Sequence, residues 1–470
     1  MGVGRRAGWR KEGVLVQYRK SRRRRYATLS TIPGPGRNPD TMEKYLINGG
    51  TPLEGRISVS GAKNSALKLM AASLLAPART VLHNVPLIND VYTMADVLRE
   101  LGALVTIEPD RLEIDASKDL SITAPYELVR RMRASILVMG PLLARMKRAR
   151  VAMPGGCNIG PRKIDFHLNG LEKLGARIEV EHGFINVAAD QLTGDVIGLD
   201  YPSVGATENL IMAACMARGR TVIESAAREP EIIDLTKFMI SMGARISGAG
   251  TDTIIIDGVD ELKGATHTVI PDRIEAGTYM IAAAVTGGDI EIEGANPQHL
   301  EIFISKLRAI GVEVKESDQM IRCRAGGEYS STDISTLPYP GFPTDLQSPV
   351  IVLLSLAGGH SIVTENVFES RFVFVDELNR LGAEVRTSGH HVVVHGRRQF
   401  EGTIVEAPDL RAGAALVMAG LAASGTTEVR RIGHIDRGYE NFELKLKALG
   451  ADIQRAESDE RTPSATPFQG

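Results

Sequence analysis

The chain has 470 residues, of which 43% are hydrophobic and 24% charged, and a net charge of −2. That length exceeds what one compact core holds, so we expect two or more domains. No run approaches the roughly 18 uninterrupted apolar residues of a membrane span. The cysteines, Cys157, Cys215 and Cys323, form neither a disulfide framework nor a paired metal-ligand spacing, which predicts a cytoplasmic protein without metal or cofactor.

The two ends of the chain differ from the rest in composition. Residues 1–41 hold eleven Lys and Arg against two acids, a charge of +9, and include four consecutive arginines at 22–25. We predict that this segment is disordered. It is open to three readings: a nucleic-acid arm, a targeting peptide, or a mis-assigned start before Met42. The third is favoured, because the rest of the chain lacks the features of a nucleic-acid binder. Residues 454–470 are also predicted to be a disordered tail.

A sixfold repeat organises the chain between these ends. Each copy ends a Leu-rich amphipathic turn with glycine and continues in an alternating apolar pattern, as in LEKLGARIEV and LNRLGAEVRT. The repeat glycines, spaced 68 to 73 residues apart, are Gly102, Gly175, Gly243, Gly311, Gly382 and Gly450. A glycine there predicts a left-handed helix cap, and the alternation predicts a following strand.

Each repeat also contains a second helix that is apolar nearly all round, for example ATENLIMAACMA at 206–217. Such helices should be buried. One unit therefore reads as strand, buried helix, strand, exposed helix, strand, strand. Helices inside and sheets outside indicate an α/β protein, built as one ring of six units or as two domains of three. Size limits on a single core favour two domains, with a ligand cleft between them.

Function is expected where individual copies depart from the repeat. Lys63 and Arg411 lie at the starts of buried helices, where free backbone N–H groups bind anions. The alternative interpretation of each is a solvated surface cation. Asp345 is open to two readings, a helix N-cap and a base facing the cleft. Cys157 lies among glycines with Arg162 close by, a setting that stabilises a thiolate.

Several other chemistries are excluded by missing motifs. The sequence has no GxxxxGK[ST], no strand-following GxGxxG, no HExxH, no CxxC and no GxSxG. Nucleotide-hydrolysing loops, dinucleotide folds, common metal sites and serine-nucleophile elbows are therefore not indicated. What remains is a cationic, anion-binding cleft with one thiol and one or two carboxylates.

At this point the sequence resembles a known family. The motifs GAKNSAL, MRASILVMGPLLAR, PGGCNIGPRKIDFH, SVGATEN, AAREPEI, PDRIEAGTY, FPTDLQ, VFESRF, DLRAG and HIDRGYE are similar, in order, to those of the UDP-N-acetylglucosamine 1-carboxyvinyltransferases. The resemblance implies two inside-out α/β barrels of three units each. One would combine 42–62 with 271–453, and the other would comprise 63–270 and carry the Cys157 loop.

The resemblance implies transfer of the enolpyruvyl group from phosphoenolpyruvate to the 3′-hydroxyl of UDP-N-acetylglucosamine. Cys157 would protonate C3 and attach covalently to phosphoenolpyruvate, Asp345 would be the base, and Asp409 would assist a proton step. Lys63, Arg162 and Arg437 would hold phosphate, with Arg371 and Arg411 near the carboxylate. The positions matching substrate contacts are Asn64, Arg133, Arg162, Lys163, Ile164, Asp165, Phe166, Ser203, Val204, Gly205, Asp345 and Val367.

The resemblance also implies a place in peptidoglycan synthesis, and hence in cell shape and division, and sensitivity to fosfomycin. It implies small-molecule substrates, with no nucleic acid, membrane or obligate protein partner. Tyr201 stands where some members have a lysine, so a lysine contact to the diphosphate is not carried over. Two alternatives remain: a 5-enolpyruvylshikimate-3-phosphate synthase-like transferase, and an inactive UDP-sugar-binding regulatory paralogue.

Overall fold

The computed structural model describes residues 43–153, 164–397 and 399–457, without the side chains of residues 130 and 131. Cys157, Arg162 and Lys163 lie outside the described residues. So do the whole amino-terminal arm, 1–41, and residues 458–470 of the predicted tail.

Within these ranges, strands and helices alternate as the repeat predicts. The strands are β1 (Glu43–Asn48), β2 (Glu54–Ser58), β3 (Arg79–His83), β4 (Leu104–Glu108), β5 (Arg111–Asp115), β6 (Thr123–Ala124), β7 (Arg148–Ala152), β8 (Arg177–Glu181), β9 (Phe184–Ala188), β10 (Val196–Gly198), β11 (Arg220–Glu224), β12 (Arg245–Ser247), β13 (Thr253–Asp257), β14 (Thr266–Thr268), β15 (Asp289–Glu293), β16 (Glu313–Ser317), β17 (Met320–Arg324), β18 (Ile334–Ser335), β19 (His360–Thr364), β20 (Glu384–Ser388), β21 (His391–His395), β22 (Ile404–Glu406), β23 (Thr426–Arg430) and β24 (Asp452–Glu457).

The α-helices are α1 (Lys63–Ala72), α2 (Asn89–Glu100), α3 (Tyr126–Arg131), α4 (Met139–Met146), α5 (Asp165–Lys173), α6 (Val204–Ala214), α7 (Pro230–Ser241), α8 (Arg273–Val285), α9 (Glu301–Ile310), α10 (Gln347–Leu356), α11 (Val375–Arg380), α12 (Leu410–Ala422) and α13 (Phe442–Ala448). Short 3₁₀ helices cover Ser73–Leu75, Arg133–Val138, Pro297–Leu300, Thr344–Leu346 and Ile432–Arg437.

The strands form six four-stranded sheets with one shared topology. The sheet orders are β14-β3-β5-β4, β6-β7-β9-β8, β10-β11-β13-β12, β2-β15-β17-β16, β18-β19-β21-β20 and β22-β23-β1-β24. In every sheet the first pair is parallel and the next two pairs are antiparallel. The predicted unit of strand, buried helix, strand, exposed helix, strand and strand is confirmed.

The repeat glycines end the exposed helices as predicted. All six have positive φ, between 92° at Gly175 and 113° at Gly311. Only glycine adopts this backbone conformation without steric strain. The segment at 133–146 is not one continuous α-helix: it begins with a 3₁₀ turn and becomes α-helical at Met139. Pro141, in the first turn of α4, has no N–H to donate to the preceding turn, which favours this tighter start.

Two hydrophobic cores lie beneath the sheets. One contains α1, α4 and α6 and draws its buried residues from between Ala62 and Val269. The other contains α8, α10 and α12 and draws on residues from Tyr45 to Val59 and from Ile274 to Ile453. The all-round apolar helices are thus central, and their sheets cover them.

The chain passes between the cores twice, at neighbouring points. β2 precedes α1 in sequence but pairs with β15, whereas β14 precedes α8 but pairs with β3. The two connections are bonded to each other, with the amide N of Ala62 2.7 Å from the carbonyl oxygen of Ile270. Asp272 accepts from Lys63 N at the start of α1 and from Ile274 N at the start of α8. One carboxylate therefore caps a central helix of each core.

The final strand runs further than predicted. β24 extends to Glu457, so the expected boundary of a disordered tail at residue 454 is wrong for its first four residues. The guanidinium of Arg455 pairs with Glu43, Asp436 and Glu443. These buried and half-buried partners hold the strand end against β1.

Candidate active site

Lys63 and Arg437 converge on one buried carboxylate. The Nζ of Lys63, at the start of α1, lies 2.7 Å from Asp90 Oδ2, and Arg437 Nε donates to Asp90 Oδ1 at 2.9 Å. Lys63 and Asp90 belong to elements of the first core and Arg437 to the second. The pairing therefore joins the two cores at a cluster of two cations and one anion.

The surroundings of this cluster lower the pKa values of both Lys63 and Asp90. Burial lowers the pKa of Lys63, Asp90 opposes the shift, and Arg437 and Arg411 add to it. Burial alone would raise the pKa of Asp90, but Lys63 and Arg437 outweigh burial and lower it. Asp90 is therefore ionised at neutral pH.

A second cluster surrounds Asp345. Arg371 Nη2 donates to Asp345 Oδ1, and Arg411 donates to Oδ2 from Nε at 3.2 Å and from Nη2 at 3.0 Å. The amide nitrogen of Asn64, the residue after Lys63, lies 3.5 Å from the same Oδ2. Arg371 and Arg411 are only 4% and 3% exposed. Asn64 therefore connects this cluster to the Lys63 cluster.

The contacts of Asp345 bear on its two interpretations, a helix N-cap and a base facing the cleft. Asp345 lies in the 3₁₀ turn Thr344–Leu346, whose N-cap residue is Pro343, whereas the N-cap residue of α10 is Leu346. Its carboxylate instead faces the two arginines. Asp409, by contrast, is an N-cap: its Oδ1 accepts from Arg411 N at 2.8 Å and from Ala412 N at 3.1 Å.

Glu365 organises the turn that carries Val367 and leads to Arg371. The buried carboxylate of Glu365 accepts hydrogen bonds from Val367 N at 2.8 Å and Phe368 N at 3.1 Å. It also accepts from Thr344 Oγ1 at 2.9 Å, beside Asp345. One side chain thus contacts two of the segments that form the second cluster, those of Asp345 and Arg371.

Two segments that are predicted to contact the substrates lie at helix starts. Asp165 and Phe166 open α5, and Val204 and Gly205 open α6. The Ser203 hydroxyl caps α6 by accepting from Ala206 N at 3.4 Å. These helices pack against each other, and a Cβ atom at Gly205 in α6 would lie 3.3 Å from the ring of His167 in the first turn of α5, so their positive ends lie close together. Such an arrangement binds anions.

The remaining predicted residues of this region are placed as follows. Arg133 begins the 3₁₀ turn before α4, and Ile164 immediately precedes α5. Burial raises the pKa of Tyr201 to about 12, with Glu229 and Glu365 adding to the shift. Tyr201 therefore offers a neutral hydroxyl where some family members have a lysine.

The clusters suit a substrate with several negative charges. Among the described residues, four cations, Lys63, Arg371, Arg411 and Arg437, pair with two carboxylates, those of Asp90 and Asp345. Within the described part of the chain, Arg371 Nε is buried and has no hydrogen-bond acceptor. A buried donor without a partner costs free energy, which an incoming anion would recover. The described residues contain no group of three or more His, Cys, Asp or Glu side chains placed to hold a metal ion.

Comparisons with known proteins show the family to which the chain belongs. Residues 47–446 match the EPSP synthase (3-phosphoshikimate 1-carboxyvinyltransferase) family. The chain is 54% identical over 416 residues to UDP-N-acetylglucosamine 1-carboxyvinyltransferase 2 of Carboxydothermus hydrogenoformans, an alignment covering 88% of this chain and 99% of that protein. The chain belongs to the UDP-N-acetylglucosamine 1-carboxyvinyltransferases, within the EPSP synthase family. It is an enzyme of the transferase class.

Other members of this transferase family support the same assignment. UDP-N-acetylglucosamine 1-carboxyvinyltransferase 3 of Caldanaerobacter subterraneus subsp. tengcongensis is 51% identical over 414 residues, covering 88% of this chain and 99% of that protein. Among solved structures, the enolpyruvyl transferase NikO of Streptomyces tendae gives a TM-score of 0.82 at 26% identity, covering 89% of this chain and all of that one. EPSP synthase of Acinetobacter baumannii, at 18% identity and a TM-score of 0.68 over 89% of this chain and all of that one, shares the fold. The predicted fold class is confirmed.

Sequence reasoning missed three carboxylates of this transferase site. Asp90, Asp272 and Glu365 each contact a predicted residue or hold its backbone. Asp90 lies in the first turn of an ordinary exposed helix, where acids are common. Asp272 and Glu365 stand inside or beside quoted motifs, PDRIEAGTY and VFESRF, so motif position was the only signal that could have found them.

Proposed function

We propose that the chain transfers the enolpyruvyl group of phosphoenolpyruvate to the 3′-hydroxyl of UDP-N-acetylglucosamine and releases phosphate. The observation that carries the proposal is the convergence of Lys63, Arg371, Arg411 and Arg437 with Asp345 where the two cores meet. The relatives that bear this activity in their names are 51–54% identical over nearly their whole length. The proposed setting is the cytoplasmic first committed step of peptidoglycan synthesis.

The reaction is an addition followed by an elimination. In the addition, the 3′-oxygen bonds to C2 of phosphoenolpyruvate, its proton passes to Asp345, and C3 receives a proton from Cys157. In the elimination, C3 loses a proton, the C2–C3 double bond re-forms, and phosphate leaves. Asp409 is proposed to assist a proton step. A positioned general acid or base contributes typically 10²- to 10⁴-fold in rate.

The cations are assigned by the charge that each cluster can accept. Lys63 and Arg437, with Arg162, would hold the phosphate, and Arg371 and Arg411 would lie near the carboxylate. The two arginines also hydrogen-bond to both oxygens of Asp345 and so orient its carboxylate. Asn64 would orient the sugar beside Asp345, and the starts of α5 and α6 would bind its diphosphate. Arg133, Lys163 and Val367 complete the proposed contacts.

The test is phosphate release from phosphoenolpyruvate, measured with and without UDP-N-acetylglucosamine, followed by mass analysis of the sugar nucleotide. We expect release only with the sugar and a mass gain equal to an enolpyruvyl group. Release with shikimate-3-phosphate instead would favour a 5-enolpyruvylshikimate-3-phosphate synthase-like activity. Binding of the UDP-sugar without release would favour a regulatory paralogue.

A second experiment tests the role of Cys157 with fosfomycin, an epoxide phosphonate. The thiolate sulfur should bond to one epoxide carbon as the C–O bond at that carbon breaks, and the released oxygen should take up a proton to become a hydroxyl. Burial raises the pKa of both Cys215 and Cys323 well above that of an exposed thiol, so neither should react. We expect one label per chain, absent in Cys157→Ser. Persistent labelling of Cys157→Ser would remove Cys157 from this role.

A further inference from the structure

His167 lies between the two helix starts and has no role in the reaction as proposed. It is the third residue of α5 and is 6% exposed. A Cβ atom at Gly205, the second residue of α6, would lie 3.3 Å from both Cε1 and Nε2 of the His167 ring. The edge of the imidazole therefore rests directly on the first turn of α6.

Asn209, one turn further along α6, determines the orientation of this ring. The side-chain amide of Asn209 is fully buried, and its Oδ1 accepts a hydrogen bond from Gly140 N at 2.7 Å. This bond fixes which end of the amide is oxygen, so Nδ2 points away from Gly140. Nδ2 lies 3.3 Å from the carbonyl of Ile136 and 3.1 Å from His167 Nδ1. Because Nδ2 is a donor, His167 Nδ1 must accept, and the ring proton is on Nε2.

The electrostatic surroundings keep the ring in this neutral form. Burial lowers the pKa of His167 to about 4, and Arg133 adds to the shift. Glu208, the neighbour of Asn209 on α6, is engaged with Lys68 of α1. Asp165 is the acidic residue in the first turn of α5. At neutral pH the imidazole thus carries no charge and keeps its proton on Nε2, on the edge that faces α6.

We propose that His167 and Asn209 are a positioning pair that locks the first turns of α5 and α6 together, so that their backbone N–H groups face one anion, the diphosphate of a nucleoside-diphosphate sugar. The inference rests on the proposed function for the identity of that ligand. Two helix starts fixed against each other bind a diphosphate without reorganising, which strengthens binding. The pair acts through the backbone and does not touch the reacting atoms.

The test is the nearly isosteric variant Asn209→Asp. A carboxylate cannot donate to Nδ1, so the ring must carry its proton on Nδ1 to bond with it. We expect the KM for UDP-N-acetylglucosamine to rise about tenfold, the equivalent of one lost buried hydrogen bond. The kcat and the KM for phosphoenolpyruvate should change little. Asn296→Asp is the matched control, because Asn296 Nδ2 lies 3.1 Å from His299 Nε2 in a similar pair away from α5 and α6.

The ring proton is observed directly by ¹⁵N NMR of the wild-type protein, with the His167 signal assigned by its loss in His167→Gln. Protonation at Nε2 is expected, and protonation at Nδ1 overturns the inference even if Asn209→Asp does not fold. An unchanged KM in folded Asn209→Asp also overturns it and leaves the proposed function intact. If the wild type shows no sugar-dependent phosphate release, the proposed function fails. The positioning pair is then tested by calorimetric titration with UDP, and equal UDP affinity of the wild type and Asn209→Asp overturns the inference about the pair.

Discussion

Asp90 shows how one side chain can set the properties of a cationic site. It is 3% exposed and bonds to both Lys63 and Arg437. Removing one partner from a buried ion pair leaves uncompensated charge in a poorly solvated place. In this transferase the uncompensated charges would be the two cations proposed to hold phosphate.

We therefore expect Asp90→Asn to be less stable than the wild type without ligand, by about 3–5 kcal/mol. Inorganic phosphate should then raise the melting temperature of the variant more than that of the wild type, because the anion replaces the lost carboxylate. Asp96→Asn on the same helix is the control, since Asp96 is exposed and pairs only with nearby Arg99. Equal stabilisation by phosphate in Asp90→Asn and wild type would contradict the assignment.

At the scale of single elements, the helix-ending glycines differ in their surroundings. Gly243 has φ +108° and no atom within 4 Å of the position that a Cβ would occupy, whereas a Cβ at Gly311, with φ +113°, would lie 3.2 Å from the carbonyl oxygen of Glu328. The two glycines occupy the same position in successive units. The comparison therefore separates backbone strain from steric contact.

We expect Gly243→Ala to lower the free energy of unfolding by about 1–2 kcal/mol through the left-handed backbone alone. Gly311→Ala should lower the free energy of unfolding further, because its methyl group also makes a close contact with the carbonyl oxygen of Glu328. Denaturant titration of both variants measures the difference. Equal losses would show that the contact near Glu328 relaxes without cost.

The interface between α1 and α6 carries a buried pair of Lys68 and Glu208. Burial raises the pKa of Glu208 to about 8, although Lys68 opposes the shift. The folded protein thus keeps a proton on Glu208 between pH 4.5 and about 8, where the unfolded chain has released it. The stabilisation from this group is complete below its unfolded pKa and is lost as pH rises through the folded one.

Glu208→Gln should remove that pH dependence. We expect the free energy of unfolding of the wild type, relative to the variant, to fall by up to about 1.4 kcal/mol per pH unit between pH 5 and 8. Denaturant titrations across this range measure it, with Glu224→Gln on the exposed face of β11 as control. A difference between wild type and Glu208→Gln that does not vary with pH would contradict the raised pKa.

At the scale of the whole molecule, the double crossing of the chain sets where the site forms. We propose that the two cores are two domains, 42–62 with 271–453, extended by β24 to 457, and 63–270. Arg273, at the start of α8, donates to Glu231 of α7 at 3.1 and 3.3 Å across the boundary. The pair is buried beside the crossing.

Glu231→Gln should therefore weaken the junction between the cores. We expect Glu231→Gln to lower the free energy of unfolding by about 3–5 kcal/mol, because Arg273 is left buried without its counter-ion. The double variant Glu231→Gln, Arg273→Met should recover part of that free energy. Asp257→Asn is the control, since its bidentate partner Arg220 is solvent-exposed and the change should be small. Denaturant unfolding of all three variants provides the comparison. A loss no larger than that of the control would show that the junction does not depend on this pair.

The sequence by itself determined the repeated unit, the central helices, the helix-ending glycines and the family, because these depend on local periodicity and on motifs that are contiguous in the chain. It identified Lys63, Asn64, Asp345 and Arg411 as candidates by motif. Which carboxylate faces which cation was decided only by the tertiary structure. Asp90 and Arg437 are 347 residues apart and meet at 2.9 Å, and only the tertiary structure shows that the carboxylate of Asp345 faces Arg371 and Arg411. Ion pairs across two cores depend on how the chain crosses between them, and no local pattern encodes that.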